Sequence, residues 1–173
     1  MEKVVCFLFG NSDNFKFNDN TSIEEYRKFN DNLLKLKKKN NADSLVFSLV
    51  TNNSYEDVRD TREVLGEFFD SSIKTGRVFF EDGYMDNWSV GLQVGGKGGS
   101  IIDYLAKVNS EYEIKHIYYF DDCDFSKDMV SYFITDAKLD DSYTYVSLEN
   151  VNTLKDTNKL LSSVISSKKM IKK

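Results

Sequence analysis

Short continuous apolar runs alternate with helical patterns along most of this chain, and that alternation leaves few folds open. Residues 3–9, Lys-Val-Val-Cys-Phe-Leu-Phe, form a run suited to a strand covered on both faces, and Ser44 to Val50 forms a second. Further strands are expected at Arg77 to Phe80, His116 to Phe120 and Tyr143 to Leu148. Between them, apolar residues recur at three- and four-residue spacing. Ile23, Tyr26, Phe29, Leu33, Leu34 and Leu36 mark a helix that starts near Thr21-Ser22 and fades near Asn40. Val58, Leu65, Phe68 and Phe69 mark a helix capped by Ser54, and Ile101, Ile102, Leu105 and Val108 mark one over Ser100 to Asn109. Met129 to Ile134 and Leu154 to Ile171 complete the set. Strands alternating with helices predict an α/β fold, a three-layer α/β/α sandwich around a mostly parallel, Rossmann-like sheet whose ligands sit at the carboxyl ends of the strands.

A chain of 173 residues fits one domain, 1–173. Its least regular part, 81–96, carries the only tryptophan, Trp88, and reads as a small flap, a hairpin or a loop. No apolar run approaches the roughly 20 residues of a membrane helix, so no membrane partner is expected. A net charge of −5 argues against nucleic acid held by bulk electrostatics, and the lysines at 35–39 and 168–173 read as solvated faces or a tail. The opening Met-Glu-Lys lacks the positive start and cleavage pattern of a secretion signal. Two widely separated cysteines, Cys6 and Cys123, make neither a disulfide framework nor a zinc cluster, and a cytoplasmic protein is expected.

The candidate chemistry lies between Gly91 and Asp128. Gly91-Leu-Gln-Val-Gly-Gly96-Lys97-Gly98 follows the phosphate-loop pattern G-x-x-x-x-G-K-[ST] at every position but the last, and His-Ile-Tyr-Tyr-Phe-Asp121 is an apolar strand ending in an acid. A nucleotide-binding P-loop protein is therefore one reading. Against it, Gly98 has no hydroxyl to hold Mg²⁺, and only 24 residues separate Lys97 from Asp121.

A second reading uses more of the chain. An apolar strand ending in Thr51-Asn52, a lysine at a helix start, Lys97, and an apolar strand ending in Asp121-Asp122 follow one another in the order of the second, third and fourth motifs of haloacid dehalogenase-like hydrolases. From residue 3 to about residue 150 the chain resembles that superfamily. The resemblance implies that Thr51 and Asn52 face a phosphoryl group, that Lys97 neutralises its charge, and that Asp121 and Asp122 hold Mg²⁺, which takes hard oxygen ligands. Family enzymes also carry Asp-x-Asp after the first strand, the nucleophile and the acid–base. Aligned on Phe7, this sequence puts Leu8 in the first position and Gly10 in the second. Leucine cannot form an aspartyl-phosphate. The expectation is a relative without phosphatase activity that keeps a phosphate- or magnesium-capable pocket and acts in binding or regulation, with a protein or a phosphorylated ligand as partner. The rival is a magnesium-dependent phosphohydrolase with a displaced nucleophile, for which Asp13 is the nearest acid. Only 43 residues separate Leu8 from Thr51 and 46 separate Thr51 from Lys97, too few for a large cap beside the core elements.

Plainer roles stand beside these. Thr51 can simply end a strand, Lys97 can be solvated, and Asp121, Asp122 and Asp124 can cap the helix that begins near Phe125. His116, the only histidine, sits in an apolar strand with no Cys or Ser partner in a triad-like context and reads as structural. Cys123 lies between aspartates that disfavour its thiolate, so no nucleophile is expected there.

Overall fold

A computed structural model describes residues 1–10, 23–50, 65–79, 84–86, 89–91, 96–122 and 124–167. Five parallel strands form the centre: β1 (Lys3–Phe9), β2 (Ser44–Val50), β3 (Ile73–Phe79), β6 (Glu113–Asp121) and β7 (Tyr143–Ser147). Two three-residue strands, β4 (Tyr84–Asp86) and β5 (Ser89–Gly91), add to β3 as an antiparallel pair. The order is β5-β4-β3-β2-β1-β6-β7. The chain thus builds outward from β1 in one direction, then returns to β1 and builds in the other. The point of reversal lies between β1 and β6, and in such sheets the crevice above it is the usual ligand position.

The helices are α1 (Ile23–Lys39), α2 (described over 65–68), α3 (Gly96–Glu111), α4 (Asp124–Asp136) and α5 (Leu154–Ser166). Alternation along β1 divides the core between them. Val5, Phe7 and Phe9 face α1, α2 and α5, whereas Val4, Cys6 and Leu8 face α3 and α4. The first face is aromatic: the Phe7 ring lies 5.0 Å from Phe120 and 5.8 Å from Phe47, with Phe29 of α1 edge-on at 6.3 Å. Each such fully buried ring contributes about 2–3 kcal/mol through burial. The predicted three-layer α/β/α sandwich is the fold.

Polar links fix α1 against α5. Buried Asn158 donates to the Glu25 carbonyl at 3.0 Å and accepts from Asn32 at 3.4 Å. Lys39 donates from Nζ to the carbonyls of Val164, Ile165 and Ser167 at 3.3, 2.6 and 2.9 Å, closing the carboxyl end of α5 with a cation. The helix expected to continue to Ile171 ends there, at Ser166, and residues beyond 167 lie outside the described ones.

Other boundaries move as well, two of them by four residues. The third strand starts at Ile73, four residues before the expected Arg77, because Lys74-Thr75-Gly76, with Lys74 and Thr75 exposed, is strand without an apolar run. Gly76 belongs in it for a steric reason. A Cβ there would run into the Ser48 hydroxyl and come within 2.6 Å of the Tyr104 hydroxyl on α3. Helix α3 starts at Gly96, before the expected Ser100. Its glycines cost a helix roughly 1 kcal/mol each relative to alanine, so the first turn depends on the rest of the helix, where Ile101, Tyr104, Leu105 and Val108 dock on the sheet.

Candidate functional site

The carboxyl ends of β1 and β6 meet at Gly10 and Asp121. Phe9 pairs with Phe120, and the Gly10 amide donates to the Phe120 carbonyl at 2.6 Å. Asp121 then faces the same side of the sheet as Tyr119, two residues earlier, towards α3 and α4. The Tyr119 hydroxyl donates to Asp121 Oδ2, and the Asp122 amide donates to Oδ1 at 2.8 Å. The Asp121 carbonyl accepts from the Tyr145 hydroxyl at 2.6 Å and from the Leu148 amide at 3.0 Å, which ties in β7. Asp121 is 1% exposed. Gly10 closes the remaining side, since a Cβ on it would collide with the Asp121 carboxylate.

Leu8 is fully buried, in the layer beneath α3 and α4 with Val50, Ile101 and Tyr104. Lys97 is placed by its backbone in the first turn of α3. Asp122 is exposed. Asp13, Thr51, Asn52 and Cys123 lie outside the described residues, as does Trp88. Of the sequence-predicted positions, the fold therefore joins Gly10 to Asp121 and Asp122, and sends Leu8 into the core. Neither Tyr119 nor Tyr145 is singled out by a motif. For Tyr119 the signal is its spacing of two from Asp121 on a strand; for Tyr145, which reaches across from β7, the sequence carries none.

Tyr145 also receives a cation. Lys127, in the first turns of α4, holds Nζ 5.0 Å from the centre of its ring, and the ring stands edge-on to Tyr119 at 5.7 Å. The edge above β6 and β7 thus combines aromatic hydroxyls, a lysine and the amino end of a helix.

No protein-family model, curated protein or solved structure matches this chain.

Whether magnesium suits the site is decided by the donors. Mg²⁺ demands octahedral oxygen ligands at about 2.0–2.1 Å and usually keeps several waters. Asp121 has both oxygens engaged and no surface for those waters, and among the described residues no three His, Cys, Asp or Glu side chains group as metal ligands would. The described donors do not fit the ion.

His116 faces the opposite layer. It is 6% exposed, its Nε2 lies 2.8 Å from the Thr144 hydroxyl, and its ring packs 4.3 Å from that of Tyr118. Burial, helped by the charge of Lys39, pushes its pKa down to about 4, so at neutral pH it is an uncharged bridge between β6 and β7. A cavity of about 260 Å³ opens between α3 and the start of β3, walled in part by Val46, Lys74, Tyr104, Lys107 and Tyr112. It lies towards the amino ends of the strands, away from Asp121.

Proposed function

We propose that this protein is a non-catalytic relative, in plan and in motif order, of haloacid dehalogenase-like hydrolases, and that it binds a phosphorylated small molecule or protein at the carboxyl edge of its sheet. The observation that carries this reading is the end of β1. Leu8, which the sequence alignment sets against the family's nucleophile, is buried in the core, and Gly10, set against the acid–base, is pressed against Asp121 with no space for a side chain. An aspartyl-phosphate needs a carboxylate at that strand end. The parallel order around β1, with its reversal beside β6, supports ligand binding above Gly10 and Asp121.

The phosphate part of the proposal rests on Thr51, Asn52 and Lys97. Lys97 at the opening of α3 would add its charge to that of a helix amino end, which favours anions. A nucleotide-binding P-loop has less support, because the strand leading to Gly96-Lys97 is the antiparallel edge strand β5, with four strands between it and β6. A reducing, cytoplasmic setting belongs to the same proposal; it suits Cys6, whose buried thiol is pushed up to about 12 and is inert.

The test has two arms. Turnover of an aryl phosphate with Mg²⁺ should equal the buffer rate; turnover lost in Asp13→Asn would establish the hydrolase instead. Titration with inorganic phosphate and with phosphoserine should give saturable binding that Lys97→Ala weakens at least about tenfold, the loss of one charge-assisted contact. Binding of Mg-ATP alone, abolished by the same change, would favour the nucleotide reading.

A further inference from the structure

We infer that Asp121 is a structural latch joining the ends of β1, β6 and β7, and that it is not a metal ligand. The carboxylate is tied on both oxygens, by the Tyr119 hydroxyl and by the Asp122 amide, and the carbonyl of the same residue is tied twice more, by the Tyr145 hydroxyl and the Leu148 amide. Gly10 then seals the carboxylate from the β1 side, with its own amide anchored to the Phe120 carbonyl. A cation at Oδ1 or Oδ2 would have to share each oxygen with a donor already on it and displace Gly10 from the carboxylate. Hydrogen bonds donated to a buried carboxylate satisfy the oxygens that a cation would otherwise satisfy. Position 121 thus keeps the residue type that the resemblance assigns to a metal, while its surroundings give that residue a different task.

The latch also constrains the ligand, and this step rests on the phosphate-binding proposal. A phosphorylated group at this edge would be held by hydrogen-bond donors and lysine, with no divalent cation bridging it to Asp121. Its recognition would then survive chelation, unlike that of a ligand taken as a magnesium complex.

The experiment uses the full chain, labelled with ¹⁵N and titrated with Mn²⁺ as a paramagnetic probe and with Mg²⁺. No saturable broadening or shift is expected at the amides of Gly10, Asp121, Asp122 and Leu148. Asp121→Asn and Tyr119→Phe should each lower the melting temperature by roughly 5 °C, equally with and without Mg²⁺. Saturable Mn²⁺ broadening centred on Gly10 and Asp121 overturns the latch, as does a Mg²⁺-dependent rise in melting temperature that Asp121→Asn removes. The wild-type titration decides the matter even if a variant fails to fold. Phosphate binding in EDTA separates this inference from the functional proposal. Binding kept in EDTA supports both, and binding seen only with Mg²⁺ and lost in Asp121→Asn overturns the latch while the ligand class stands. Absence of phosphate binding under both conditions removes the ligand class, and a flat Mn²⁺ titration then still upholds the latch.

Discussion

At Gly10 the backbone of β1 passes so close to the Asp121 carboxylate that a single added methyl group would occupy the same space. The neighbour cannot yield easily, because its oxygens are held by Tyr119 and by the Asp122 amide. Gly10→Ala should therefore destabilise the protein by about 1–3 kcal/mol, the cost of overpacking a closed site, measured as a lower urea midpoint at unchanged slope. An alanine variant as stable as the wild type would mean that the contact relaxes freely. His116 makes a different kind of residue-level prediction. Its folded pKa, about 4, lies below the ordinary 6.5. The unfolded chain therefore binds the extra proton more readily, so the contribution of neutral His116 is fully present above about pH 6.5 and is lost as pH falls towards 4. At roughly 1.4 kcal/mol per pH unit, about 3 kcal/mol is at stake over that window. His116→Gln keeps a partner for Thr144 without the titration, and its stability should fall less steeply between pH 6.5 and 4; parallel pH profiles would exclude His116 as the source.

At the scale of elements, the end of α5 depends on a single side chain from elsewhere. Lys39, at the end of α1, donates to three carbonyls at the end of α5. Lys39→Met keeps the apolar stem and removes the donors, so about 1–2 kcal/mol of stability should be lost, with faster amide exchange at the end of α5 and little change in β1. Uniform loss of protection across the chain would show instead that α5 unfolds only with the whole domain. The elements also differ in how legible they are in the sequence. β2 coincides with its apolar run, Ser44 to Val50, because a parallel strand covered on both faces needs no polar alternation. β3 is harder to delimit: Lys74, Thr75 and Gly76 carry no apolar run, and the need for glycine comes from Ser48 and Tyr104, distant in sequence. The opening glycines of α3 read as a loop because their helical state depends on contacts made later in the helix. At the site, the parity of β1 already turns Leu8 to the same face as Val4 and Cys6, but Gly10 against Asp121 joins residues over a hundred positions apart and emerges only once β1 and β6 are neighbours.

On the scale of the whole molecule, stability is distributed by position in the sheet. β1 is paired along its length on both sides, to β2 and to β6, with six of its seven residues buried. β7 is paired to β6 alone in the sheet order and is nowhere fully buried, and β4 and β5 span three residues each. Amides that open only when the domain unfolds should therefore lie in β1, β2 and β6, while edge amides also open by local fraying. Native-state hydrogen exchange should find protection in β7 and in the β4–β5 pair at least about 100-fold below that in β1, a local opening that takes roughly 3 kcal/mol less. The proposed ligand edge stands on the strands expected to be most protected, because Gly10 follows β1 and Asp121 ends β6. A phosphorylated ligand that binds there should leave the ranking intact and raise the protection of β1, β2 and β6 together, by the stabilisation that its concentration and affinity dictate. A ligand that protected β4 and β5 while leaving β1 unchanged would be bound at the sheet edge instead, and the site would have to be sought beside Gly91.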